Sequence, residues 1–174
     1  MAGDIKEKYA ASSTATVTNL HSLPSSQDWT AGWSSATFTN TVNNYQDYLA
    51  SATFTTHASN RQAGSINIYL IASLNDTPTW PAAATGAWGT EGVASFVDAE
   101  ERDAACVLFD SITVDNSASA VMPRPQRAIS SFFGGRIPTH FCFFVAQNCT
   151  TTTTAGLASS GSALYTTPVY SQYT

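Results

Sequence analysis

Three histidines (His21, His57, His140) and three cysteines (Cys106, Cys142, Cys149) are the chain's candidate bases, nucleophiles and soft-metal ligands. Serine hydrolysis would need one histidine to meet a serine and a carboxylate, but no G-x-S-x-G elbow marks such a serine. With 21 serines in the chain, a chance encounter of that kind carries no information. Neither the histidines nor the cysteines stand at zinc-ligand spacing. Asp98, Glu100, Glu101 and Asp103 supply oxygens of the calcium type but lack the glycine and alternating ligands of an EF-hand loop. They read as a solvated charge run opening a helical turn. Glycoside hydrolysis would need two carboxylates about 5–9 Å apart. Asp47 and Asp110 lie on strand-like runs, yet nothing selects them as that pair. Gly134-Gly135 is not followed by Lys-Ser/Thr and reads as a tight turn with positive φ, not as a phosphate loop. The expectation is a protein that is not an enzyme, with no catalytic residue, metal or cofactor.

The remaining chemistry is that of recognition. Trp80 stands between Pro78 and Pro81, and Trp88 between Gly86 and Gly89, in a stretch from 75 to 97 where strand alternation stops. A connection of that length in a compact domain is usually functional, and tryptophan removes a large area from water when a partner covers it. Both are candidate anchors; the alternative is that they fold back over the end of their own domain. A second candidate is the start of the chain. The only two lysines, Lys6 and Lys8, precede Tyr9 and the small-residue run Ala10-Ala-Ser-Ser-Thr14. This reads as an N-terminal arm over residues 1–13, either frayed or docked on a neighbouring subunit. The candidate interface residues are thus Lys6, Lys8, Tyr9, Trp80 and Trp88.

The elements that must carry these residues are strands. Residues 14–20 and 33–39 alternate with threonine or serine, the pattern of a strand with one wet face. In 46–57, Tyr48, Ala50, Ala52 and Phe54 share a face; in 65–74, Ile66, Ile68, Leu70 and Ala72 do, with Tyr69 and Ile71 opposite. The second run is apolar enough to lie centrally in a sheet, and the short turn between the two predicts a hairpin. Further strands are expected at 104–114, 139–147 and 163–170, the last at an edge or a bulge because of Pro168. Residues 128–133 read as a helical turn or a short strand. About seven or eight antiparallel strands, unequal loops and no long helix predict an all-β fold. It is a jelly-roll-like β-sandwich, one domain over residues 14–174, with one long loop rich in Trp, Pro and Gly.

Composition narrows the function classes. Of 174 residues, 43% are apolar and 11% charged, against about 25% charged in ordinary domains. The 24 threonines, 21 serines and 26 alanines take places usually held by lysine and glutamate. A net charge of −5 argues against a nucleic-acid partner, which needs a basic stripe. No apolar run approaches the ~18 residues of a membrane span, so no membrane partner is expected. The first residues lack the apolar core of a secretory signal, and the odd cysteine count suits free thiols made in a reducing cytoplasm. A sparsely charged, hydroxyl-rich surface is covered by other protein at low desolvation cost, because lysine and glutamate are the residues that interfaces disfavour.

Several segments, in order along the chain, resemble a group of small structural proteins of tailed-bacteriophage virions. They are Ile5-Lys-x-Lys-Tyr9, Trp33-Ser-Ser35, Asn43-x-Tyr-x-Asp-Tyr48 and Ser65-Ile-Asn-Ile-Tyr-x-x-Ala-Ser-Leu-Asn-Asp-Thr-Pro78, then Phe133-Gly-Gly135 before Ile137-Pro138, and Thr167-Pro-Val-Tyr170. The resemblance spans nearly the whole chain and rests on the ensemble, since no one segment is a chemical signature. It implies a capsid decoration (cement) protein of the virion, made in the host cytoplasm. Such a protein binds the major capsid protein and copies of itself, as a dimer or trimer. The alternative is a tail or neck component, with a host-glycan-binding module built on Trp80 and Trp88. The family offers no catalytic residue.

Overall fold

Alternating apolar side chains give this chain two-faced strands, and the faces meet in two stacked sheets. The computed structural model describes residues 4–150 and 155–173. Residues 1–3 of the expected arm and 151–154 of the threonine run lie outside the described residues. The strands are β1 (Ile5–Tyr9), β2 (Ser13–Thr14), β3 (Ala31–Ser34), β4 (Phe38–Thr39), β5 (Asp47–Thr55), β6 (Gly64–Ser73), β7 (Ala84–Gly86), β8 (Gly92–Phe96), β9 (Val107–Val114), β10 (Val121–Pro123), β11 (Arg127–Ala128), β12 (His140–Gln147) and β13 (Ala163–Tyr173). Between β8 and β9 lies the helix α1 (Ala99–Ala105).

Short segments that lie along the same neighbour act as one strand. β1 and β2 both pair with β13, β3 and β4 with β12, and β10 and β11 with β5. With these merged and the β7–β8 hairpin set aside, eight strands remain, ordered 1-8-3-6 in one sheet and 2-7-4-5 in the other, every pair antiparallel. That is a jelly roll, two Greek keys folded face to face. The expected all-β sandwich is what forms.

The inward faces of β5 and β6 are those the alternation marked, and β12 adds one of its own. Tyr48, Ala50, Ala52 and Phe54 of β5 join Ile66, Ile68 and Leu70 of β6, and Phe141, Phe143 and Val145 of β12, in one buried cluster. Each large side chain so buried contributes about 1.5–3 kcal/mol. The hairpin expected between 46–57 and 65–74 does not exist, however. β5 pairs with β13, whereas β6 pairs with β12 and β9, so the turn carries the chain from one sheet to the other. Two adjacent runs with matching inward periods face one another across the core as readily as side by side, and the long strands from the C-terminal half take the lateral places.

Other differences have similar causes. The strand expected over 14–20 stops at Thr14. The chain then turns, with Leu20 and His21 N–H both bonded to the Val17 carbonyl, and drops Leu20 and Leu23 into the core. β13 is an inner strand, not an edge; Pro168 falls where the lateral ladder breaks between β1 and β2. α1 takes the first residues of the strand expected from 104. Asp98 caps it by accepting from the Glu101 N–H at 2.8 Å, and Glu100 and Glu101 sit in its first turn, where the helix dipole favours negative charge. Residues 130–132 form a single 3-10 turn after β11, closed by Gly134 and Gly135 at φ 67° and 84° as their pairing predicted.

β12 is buried along its whole length, on both faces. Its outward side chains Cys142, Phe144 and Ala146 join Tyr69, Ile71, Trp88, Ala94 and Phe96 in a second cluster outside the sandwich proper. The segment 75–97 builds that cover. Instead of lacking strands it contains the β7–β8 hairpin, which extends the second sheet beyond β3.

Candidate interaction surface

Of the groups able to do chemistry, His57 and Asp47 hold turns and Asp110 an ion pair. His57 Nδ1 accepts from the N–H groups of Ser59 (3.1 Å) and Asn60 (2.9 Å), and His21 Nε2 lies 3.1 Å from the Ser162 carbonyl. His140 is buried beside the second cluster, with no partner for Nδ1. Asp47 accepts from Ser130 N (2.9 Å) and Ser130 Oγ (2.6 Å), so it fixes the 3-10 turn. Asp110 instead receives Arg124 through Nε (2.6 Å) and a second guanidinium nitrogen (3.1 Å), with Arg127 at 3.6 Å. The two strand carboxylates therefore serve different elements. Burial pushes Asp110 up, but the Arg124 hydrogen bonds, the charges of Arg124 and Arg127 and the Ser111 N–H outweigh it and hold the carboxyl below its usual range. Among the described residues, no group of three or more His, Cys, Asp or Glu is placed to hold a metal ion. All three cysteines are free thiols. Burial pushes Cys106 and Cys142 up to about 12 and Cys149 to about 11, which keeps them protonated and unreactive at neutral pH.

The tryptophans expected as exposed anchors are not a platform. Trp88 is only 9% exposed, with ring centroids 4.8 Å from Phe96 and 5.2 Å from Phe144. It is a core residue and not the exposed interface anchor expected of it. The outward face of β12 and β6 carries Phe144, Tyr69 and Ile71, and that apolar surface draws in the nearest long connection. Trp80 is half-buried against the same cluster. Gly89, at φ 76°, leaves room for it: a Cβ there would stand 2.6 Å from Trp80 Nε1. Glu91, on the same connection, accepts from Trp33 Nε1, Asn19 N and Asn19 Nδ2, each at 2.7 Å. On the helix side, Arg102 is buried over the Tyr69 ring, 5.2 Å from its centroid, and bonds Asp103 at 2.7 Å and the Asp28 carbonyl.

The lysines and Tyr9 have the opposite fate. From Ile5 onward the expected arm is an edge strand, paired residue by residue with the last five residues of β13, from Ile5–Tyr173 to Tyr9–Val169. β5 accompanies β13 only as far as Asp47, opposite Val169, so residues 170–173 and β1 leave the sandwich as a two-stranded ribbon. All five residues of β1 are exposed. Because cross-strand partners share a face, the ribbon has two distinct sides. One presents Ile5, Tyr173 and Tyr9, which are 74%, 69% and 58% exposed, with Glu7 and Ser171 between them. Tyr9 donates its hydroxyl to Glu7 at 2.8 Å, and that bond, with the Glu7 charge, raises the phenol's pKa. The other side presents Lys6 and Lys8 opposite Gln172 and Tyr170. Of the five residues singled out from sequence, the structure unites Lys6, Lys8 and Tyr9 and places Trp80 and Trp88 elsewhere. Ile5, Tyr170 and Tyr173 were missed; their signal is only that strand alternation resumes in both termini.

Where the ribbon meets the sandwich is a groove of about 530 Å³ between residues 43–46 and 170–171. Facing Leu74 and residues 133–138, a second depression of about 510 Å³ lies at one end of the sandwich. Among the described residues, no helix is long and apolar enough to cross a membrane. No protein-family model matches this chain, and no curated protein matches it either.

Proposed function

We propose that this chain is a structural protein of a tailed-bacteriophage virion, a capsid decoration (cement) protein that binds the outer shell and ties neighbouring subunits together. The observation that carries the reading is the ribbon. This strand pair runs past the end of β5 and gathers Ile5, Tyr9 and Tyr173, each more than half exposed, on one side. Large apolar groups gathered on an exposed element fit a surface that a partner covers. The sparse charge of the whole chain points the same way, and the ordered motif resemblance supplies the class of partner, a capsid shell.

In this role the apolar side of the ribbon lies against the shell protein, and each copy contributes a modest contact that symmetry repeats. Avidity across many such sites makes the attachment firm without any single tight one. No catalytic step is part of the function. Quantifying the chain in purified particles tests the proposal. A copy number that follows the shell's symmetry, lost when Ile5 and Tyr173 are both replaced by serine, supports decoration. A number matching a single ring places the chain in the tail or neck, and absence from particles overturns the reading.

A further inference from the structure

We infer that the groove between residues 43–46 and 170–171 is a binding site for a neutral saccharide. Its walls are Asn43, Asn44, Tyr45, Gln46, Tyr170 and Ser171, with Ala10 at one end. None of these side chains is ionisable at neutral pH. An anionic or cationic ligand would therefore meet no opposite charge inside the groove, whereas a ligand made of hydroxyls and C–H faces finds both of its complements. Three carboxamides offer donors and acceptors in pairs, the arrangement that suits adjacent sugar hydroxyls. Among the described residues, the side-chain amides of Asn43, Asn44 and Gln46 bond no other residue, so their hydrogen-bonding capacity is free for a ligand. The Tyr45 and Tyr170 rings, 6.4 Å apart and inclined at 55°, form a bent aromatic wall against which a pyranose C–H face can lie.

The groove is also preformed. Asn40, itself buried, clamps the loop: its Nδ2 donates to the Tyr45 carbonyl (2.9 Å) and its Oδ1 accepts from the Tyr45 N–H (2.8 Å). Gln46 N–H donates to the Val169 carbonyl at 2.8 Å, tying the loop to β13. The Tyr45 ring packs edge-on against Tyr48 at 5.5 Å. Asn44 holds φ 48°, a left-handed turn that asparagine tolerates. A ligand entering such a site orders little of the protein, which limits the entropic cost of binding. Lys8 stands opposite Tyr170 on the ribbon but is not part of the lining. Its lining takes in Tyr170 from the ribbon's lysine side and Ser171 from the other side, and saccharide binding there does not rest on the capsid reading.

Titration of the isotope-labelled full chain with maltotriose, lactose and tri-N-acetylchitotriose, and with trigalacturonate as the acidic arm, tests the inference by amide chemical shifts. The expected result is saturable, millimolar binding of at least one neutral sugar, with shifts confined to residues 43–46 and 170–171. Tyr170→Ala and Gln46→Ala each weaken it about tenfold or more, while Tyr165→Ala, on the same strand but away from the groove, leaves it unchanged. Gln46→Ala keeps the test decisive if Tyr170→Ala misfolds, since that exposed amide bonds nothing in the described chain. No saturable shift with any neutral sugar, tighter binding of trigalacturonate, shifts mapping elsewhere, or full affinity in Gln46→Ala would each overturn it.

Discussion

The tryptophan connection and the terminal ribbon hold the chain's most partner-like side chains, and they end on opposite sides of the solvent boundary. The connection links β6 to β9 through α1 and is long enough to fold back over its own sheet. There the outward face of β12 and β6 offers Phe144, Tyr69 and Ile71, and covering them buries Trp88. The ribbon has no such surface to return to. It continues past the end of β5, so Ile5, Tyr9 and Tyr173 stay largely exposed. A large aromatic residue in a loop thus indicates burial or recognition according to what lies beneath the loop.

Substitution at Trp88 gives the sharpest break of this contrast. Trp88→Ala is expected to cost about 3–5 kcal/mol, the usual price of emptying a core aromatic site, read from urea unfolding. A loss below about 1 kcal/mol would mean that the connection is not core. Next comes Glu91→Ala, which strands the buried Trp33 indole N–H and releases the Asn19 turn; a loss of about 1–3 kcal/mol is expected in the same measurement.

A smaller, pH-dependent effect belongs to Asp110. Its folded-state pKa is lowered, so its contribution is complete above the unfolded value of about 3.9 and is lost as pH falls through the folded one. Thermal unfolding from pH 6 down to about pH 2 should show Asp110→Asn with lower stability at neutral pH and a flatter acid limb than the wild type. Parallel acid limbs would place the sensitivity in another group. The smallest effect is expected at the ribbon, where Ile5→Ser combined with Tyr173→Ser should leave unfolding stability within about 0.5 kcal/mol. A marked loss there would make the ribbon a stabilising element and remove the main support for its role in docking.

Legibility of the site followed the same boundary. The arm was recognisable because Lys6 and Lys8 are the only lysines and stand together, a feature of sequence alone. Its pairing was not, because the complement of Ile5–Tyr9 lies at the other end of the chain. Trp80 and Trp88 drew attention for their size and their Pro and Gly neighbours, but nothing local to them reports Phe144, which reaches Trp88 only through the fold. The groove was invisible for a related reason: Asn43, Asn44, Tyr45 and Gln46 are ordinary loop residues until Tyr170 is brought beside them.

The amino-acid sequence by itself determined the all-β class, the shared apolar faces of β5 and β6 and the positive-φ turn at Gly134-Gly135. All of these depend on side-chain period and on local backbone sterics, which act over a few residues. Only the tertiary structure decided that β5 and β6 sit in different sheets, that the β7–β8 hairpin roofs a second cluster, and that the two termini leave the sandwich together. Strand pairing and burial are settled by contacts between residues far apart in the chain, where an alternating pattern specifies which face is apolar but not which surface will cover it.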